Sequence, residues 1–295
     1  MPNFNGLIEC NTVMATGDIN SPYYLRANEL GVSKSVLITS TMMYSLSTIL
    51  EGTASRAKVI IEACGGGGGG SGDGDTPLSG YTGGGGGGSG YIETLEGIFP
   101  SDYTFNITIG AGGAGGAIGS NGAAGGTTIV ANVLDTSRPI VADPVTVLLD
   151  VSGGSGGIGG TGGAGYFGGG GSSSAMAPAP GGSGGAGIIP AYNGQAGDAS
   201  PNNTGTGLPG SGAGVASVGN FGYSDDRNNY AGGGGGGGIQ RQFEGKGGSG
   251  DNYGAPTAGA PGCGGGGAAC GLSGMLTAGA KGGDGYVQLT VIPLA

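Results

Sequence analysis

The 295-residue sequence contains no histidine. That single absence removes every Ser-His-Asp, Cys-His and histidine–metal arrangement. Cysteine is rare: Cys10, Cys64, Cys263 and Cys270 are the four, and no two have C-x-x-C spacing, which speaks against a zinc site. Basic residues are also few, nine against nineteen acidic ones. The resulting net charge of −10 argues against nucleic acid or an anionic membrane surface as partner. No run approaches the roughly 18 consecutive apolar residues of a membrane span. The opening "MPNFNGLIEC" lacks the basic and apolar regions of a signal peptide, so synthesis in a cytoplasm is expected, with the cysteines reduced and buried.

Apparent motifs are mostly products of composition. "GGSGG" at 153–157 and 181–185 fits G-x-S-x-G, but there is no histidine to serve as base. G-x-G-x-x-G recurs without any G-K-[ST], and Lys246 in "EGKGGSG" lacks the phosphate-loop spacing. "GGSGDGD" at 69–75 and "GGSGDN" at 247–252 approach a calcium-roll repeat. The first has its aspartates out of step, and the second has Asn252 in place of Asp. Asp73 and Asp75 therefore read as solvated loop acids. Cys263 and Cys270 bracket "GGGGAA" and read as packed thiols rather than a disulfide. No catalytic residue, metal or cofactor is expected.

What is present is glycine. Glycine (81) and proline (14) make up 95 of 295 residues, about a third, and all but four of the glycines follow Cys64. Such a share ordinarily signals low-complexity disorder or a flexible linker. The spacing suggests an ordered alternative. Between Gly153 and Gly165 the non-glycine residues are Ser155, Ile158, Thr161 and Ala164, one in every three. Three residues per turn is the period of polyproline II, not of α-helix or β-strand.

Ordering glycine costs about 0.5–1 kcal/mol more than ordering alanine, so 77 of them would require, as an upper bound, roughly 40–80 kcal/mol. The tracts have too few side chains to offset this. Lateral N–H···O=C bonds between close-packed polyglycine II rods can. Collagen would need an unbroken Gly-X-Y register rich in proline, which is absent. Ten tracts are expected as rods: 65–72, 83–90, 110–126, 153–171, 181–187, 205–214, 231–238, 245–250, 262–267 and 279–285.

Short strands should frame the rods. "YTFNITI" at 103–109 alternates apolar and polar residues; 57–63, 127–133, 145–151 and 286–292 carry similar signatures. The expected fold is mostly irregular and β, a sandwich of about ten polyglycine II helices framed by strands. Residues 1–56 differ in composition and read as an attachment module or as further strands of the glycine-rich domain at 57–295. Within them 34–52 favours strands, and "SPYYLRANELG" offers a helical turn capped by Ser21.

Aromatic, amide and charged residues gather in the connections. "YNGQ" (192–195), "FGYSDDRNNY" (221–230), "IQRQFE" (239–244) and "DNY" (251–253) have the composition of recognition loops on a rigid scaffold. Tyr192, Asn193, Tyr223, Asp225, Arg227, Tyr230, Arg241, Phe243 and Tyr253 are the candidate contact residues, on loops expected to converge at one end.

"AKVIIEACGGGGGGSG", "GGGGGGSGYIETLEGIFPSDYTFNITIGAGGAGG", "NGAAGGTTIV" and the terminal "GGDGYVQLTVI" resemble the glycine-rich tail-fibre proteins of tailed bacteriophages, over about residues 57–295. The similarity is to the distal adhesins of T-even-type phages. It implies a virion protein, assembled in the host cytoplasm, that caps a fibre. It also implies a polyglycine II sandwich whose loops bind a host cell-surface receptor, an outer-membrane protein or glycan. Other fibre subunits would attach through residues 1–56, and a homo-oligomer is a further possibility. A structural or decoration subunit of the virion is the alternative. An ice-binding protein fits less well, given the irregular tracts and bulky loops.

Overall fold

The computed structural model describes residues 33–52, 54–72, 83–132, 147–172, 183–196, 256–268 and 277–294, with the backbone of 229–230 and 270–271. Strand alternation builds the framework. In β3 (Arg56–Cys64) residues Ala57, Val59, Ile61 and Ala63 point inward and are buried. β10 (Tyr286–Leu294) answers with Val287, Leu289 and Val291. The register sets Val59 opposite Val291 and Ile61 opposite Leu289. β1 (Lys34–Ile38) and β4 (Ile92–Pro100) complete an antiparallel sheet in the order β1-β10-β3-β4.

The second sheet runs β2-β5-β6-β7, from Met42–Ser45, Thr104–Thr108, Thr128–Asn132 and Val147–Val151. Phe105, Ile107, Val130, Leu149 and Val151 face the first sheet across a shared core. Each fully buried aliphatic side chain stabilises by about 1.5–3 kcal/mol. One α-helical turn, α1 (Ser47–Leu50), drops Leu50 into the same core. The strands expected at 57–63, 103–109, 127–133, 145–151 and 286–292 are all found. β4 was not anticipated, because Glu93 and Gly97 interrupt the apolar residues of its half-buried face. β1 and β2 pair with β10 and β5, so residues 34–45 supply strands to both sheets. The Ser21 turn lies outside the described residues.

Six strands run directly into glycine tracts at one level of the sandwich. β3, β5 and β7 lead outward into 65–72, 110–117 and 152–157; tracts 83–90, 120–127 and 279–285 lead back into β4, β6 and β10. Thr128 knits the junction. Its buried Oγ1 donates to the Cys64 carbonyl at 2.7 Å and accepts from the Gly110 N–H at 3.0 Å.

Beyond the junction the bonding changes character. Gly66, Gly69 and Gly72 donate to Gly126, Ala123 and Ser120. Gly67 and Gly70 donate to Gly283 and Ala280, and Gly68 and Ser71 to Gly88 and Gly85, all at 2.8–2.9 Å. In return, the carbonyls of Gly67 and Gly70 accept from Gly113 and Gly116, those of Gly66 and Gly69 from Gly154 and Gly157, and those of Gly68 and Ser71 from Gly265 and Ala268. The three accepting neighbours run antiparallel to 65–72 and the three donating ones parallel. A strand bonds to two neighbours and an α-helix to itself; this segment is bonded to six.

Tracts 65–72 and 83–90 are buried throughout. At the surface the pattern splits by threes: Gly113 and Gly116 are buried while Ala111, Ala114 and Ala117 are exposed. Two expected rods prove to be folded. The 110–126 tract reverses at Ile118–Gly119, and 153–171 reverses at 158–161 and again at 165–167. Positive φ at Gly119 (73°) and Gly159 (51°) makes the first two reversals possible. Tracts 205–214, 231–238 and 245–250 lie outside the described residues.

A Cβ on Gly69 would overlap the Ala114 carbonyl. Replacing glycine restricts the unfolded chain and gains about 0.4–1 kcal/mol, but overpacking costs about 1–3 kcal/mol and each lost lateral bond about 0.5–1.5 kcal/mol more. Gly69→Ala should therefore lower the melting temperature by several degrees, whereas Ala114→Ser on the exposed row should leave it nearly unchanged. Equal shifts would show that side-chain-free contact is not what holds the tracts.

Asp284 ties tract 279–285 to 110–117, accepting from the Gly112 N–H at 2.8 Å and from Lys281 Nζ at 2.7 Å. The Gly112 bond, then Lys281, holds its carboxyl below the usual range. Its contribution is thus complete above the ordinary aspartate value of about 4 and is lost as pH falls through the lower folded value. Asp284→Asn keeps an acceptor without the charge. Its melting temperature should fall less steeply on acidification than that of the unsubstituted protein, and parallel melting curves would refute the assignment.

Candidate recognition surface

The tracts give the molecule a sheet end and a far end. At the far end two reversals meet. Asn121 Oδ1 accepts from the Gly159 N–H at 3.0 Å, and Ser71 Oγ donates to the Gly159 carbonyl, joining the 118–121 and 158–161 turns over the end of tract 65–72. Each turn holds out an isoleucine, Ile118 at 45% and Ile158 at 62% exposure.

The longer connections between tracts all start and finish there. Gly72 donates to Ser120 and Gly84 to Ala268, bounding the stretch 73–82. Ser172 donates to Gly160, and Ser183 accepts from Gly162, bounding 173–182. Gln195 accepts from Gly171 and Thr257 from Gly266, on either side of 197–255. Ala268 and Gly279 flank 269–276, and Gly279 donates to Gly116 beside the Ile118 turn. The bonded positions on both sides of every such stretch belong to one end of the molecule.

Of the candidate contact residues, Tyr223, Asp225, Arg227, Arg241, Phe243 and Tyr253 lie outside the described residues, in the stretch bounded by the far end. Tyr230 lies in β8 (Asn229–Tyr230), whose backbone pairs with β9 (Cys270–Gly271) just beyond Ala268. Tyr192 and Asn193 are elsewhere. Their loop sits at the sheet end, beside the 165–167 reversal, because the threefold folding of 153–171 adds a turn and inverts the next connection. The expected convergence of all four loops on one end therefore does not include Tyr192.

The sheet-end loop is built on three rings. Phe167 is buried, with Tyr166 5.0 Å and Tyr192 4.7 Å from it between centroids; the two tyrosines stack at 5.7 Å. The Gly187 N–H donates to Asn193 Oδ1 at 2.8 Å, closing the loop around a 3-10 turn at Pro190–Tyr192. Tyr192 and Asn193 thus shape this loop, while Ile188 and Ile189 are what it exposes. Sequence reasoning passed over Ile118, Ile158, Ile188 and Ile189. Their signal was a branched apolar residue, single at Ile118 and Ile158 and paired at Ile188–Ile189, next to a chain reversal.

Among the described residues no group of three Cys, Asp or Glu side chains is placed to hold a metal. Cys64 and Cys263 are buried free thiols near the junction. Burial pushes Cys263 up to about 12, and burial, then Cys263 and Glu62, raises Cys64 well above the thiol range. Buried, protonated sulfur is a poor nucleophile.

A glycine-rich domain family model matches residues 45–291. The chain belongs to this glycine-rich domain family. No curated protein matches it. The matched span starts at the last residue of β2 and ends within β10, so it takes in β3 to β7 and the tracts between them, and leaves out β1 and most of β2.

Alkylation checks the thiols of this glycine-rich domain. Iodoacetamide at pH 8, followed by peptide mapping, should leave Cys64 and Cys263 unmodified in the native protein and label both after denaturation. Native labelling of either would contradict the buried, protonated state.

Proposed function

We propose that this chain is a receptor-binding adhesin of a bacteriophage tail fibre, acting without catalysis through the connections at its far end. The observation that carries the reading is topological: the stretches 73–82, 173–182, 197–255 and 269–276 are all bounded at one end, opposite the sheets. Tyrosine, arginine, asparagine and phenylalanine are concentrated in one of them, 197–255. These are the residue types that recognition loops use on a rigid scaffold. The resemblance of the strand–glycine junctions to tail-fibre proteins supports the same reading.

The tracts in this reading are polyglycine II helices. The three-residue rotation of donors along 65–72 supports that conformation, since each third N–H meets the same neighbour. The partner at the far end is a host surface protein or glycan. The sheet end is left to face the fibre, and the assembled particle is a virion.

The test is adsorption. Tyr223→Ala, Arg227→Ala, Tyr230→Ala and Phe243→Ala should each weaken binding by about 1–2 kcal/mol, since tyrosine and arginine dominate hot spots. A particle carrying all four should fail to adsorb to its host while the melting curve stays in place. Normal adsorption would sink the adhesin reading and favour a structural virion subunit built for rigidity.

A further inference from the structure

The loop at the sheet end is an apolar knob that no described residue covers. Ile188 is 46% and Ile189 47% exposed, and Pro190 and Ala191 beside them are exposed as well. Four consecutive apolar residues in solvent are unfavourable for a loop that only needs to turn. Nor is the knob loosely held. Tyr192 N–H donates to the Ile189 carbonyl at 2.8 Å, Asn193 N–H to Pro190 at 3.2 Å, and Ile188 N–H to Tyr166 at 3.3 Å. Together with the three packed rings, these bonds fix the loop in advance, which lowers the entropy lost when a partner orders it.

Charge identifies the partner. The chain carries 28 charged side chains, nine basic and nineteen acidic, yet none falls between Val151 and Gly197. This is the longest uncharged run in the sequence, and it contains the knob, the rings beneath it and the tracts beside it. Ala186, the residue of the adjoining tract next to the knob's end, is exposed and carries only a methyl group. An ionic ligand would find no counter-charge in this run. Two copies of a chain of net charge −10 repel each other across most faces, but not across this one.

We propose that the uncharged face centred on Ile188 and Ile189 is a self-association surface that docks a second copy of this chain. An apolar face that meets its own symmetry mate is self-complementary without any charge pairing. A stable contact needs about 800 Å² from each partner. The contact therefore extends from the knob onto the adjoining exposed residue Ala186, which accepts from the Gly165 N–H at the same end. The far end is not used in this contact, and receptor binding does not bear on it.

Sedimentation equilibrium of the full chain at micromolar concentration is the experiment. The unsubstituted protein should sediment at a multiple of its 27.6 kDa mass. The Ile188→Lys/Ile189→Lys protein should weaken association at least tenfold with an unchanged melting temperature. Should the lysine pair fail to fold, Ile188→Ser is the milder probe and should shift the equilibrium in the same direction. Added salt should leave the association intact or strengthen it, since no ion pair is involved. A monomer throughout, association undiminished in a folded variant, or dissociation by moderate salt would each overturn the proposal.

Discussion

Everything beyond the strands depends on how closely two backbones can approach when neither carries a Cβ. Around 65–72 six segments lie near enough to exchange N–H···O=C bonds at 2.8–3.0 Å. A methyl group on Gly66, Gly67, Gly68 or Gly69 would overlap a neighbouring carbonyl in each case. The repulsion is backbone against backbone, so no rotamer change relieves it. Glycine is therefore required in the interior for its size rather than its flexibility. The entropy lost in ordering it is offset by a bonding density that side chains would prevent.

Such bonding does not choose its own register. One glycine offers the same donor and acceptor as the next, so a tract could slide by three residues and regain its partners. The sandwich removes that freedom. Val59 opposite Val291 and Ile61 opposite Leu289 fix two strands by side-chain shape, and the tracts leaving them inherit the alignment. Thr128 carries it across the sheets, bonding at once to Cys64 and Gly110. Hydrophobic burial at one end thus selects among arrangements that backbone bonding alone would leave nearly equal. Within the tracts, the buried serines add local pins: Ser89 Oγ accepts from the Phe167 N–H at 2.9 Å.

Legibility in the sequence followed this division. Strands with clean alternation, such as 103–109, could be read because side-chain period reports burial directly. β4 could not, since its inward face includes Gly97 and its outward face Ile98. The spacing of three pointed to rods but not to where they end. "GGIGGTGG" keeps the period through residues 156–163, yet the chain reverses there, because Gly159 accepts a positive φ at no steric cost. In a glycine tract every position could be a turn, so counting legs from sequence fails. That failure also misplaced Tyr192, whose end of the molecule depends on whether the number of reversals before it is odd or even.

The same indifference of backbone bonding to side chains separates stability from the sequence of the far-end connections. In an ordinary domain a loop is seated by core residues beneath it, and changing its sequence disturbs them. Here the far-end turns rest on carbonyls and N–H groups: Gly72 on Ser120, Gly85 on Gly159, Ser172 on Gly160. None of those bonds reads the side chains of the residues they join; the side chains of Asn121 and Ser71, both bonded to Gly159, are the exceptions. A connection leaving such an end can change in length or composition while the glycine bonding below it is unaltered. The sheet-end knob is the opposite case. Tyr166, Phe167 and Tyr192 seat it by ring contact, so its shape is coupled to side-chain packing, as a fixed interface requires and a variable one does not.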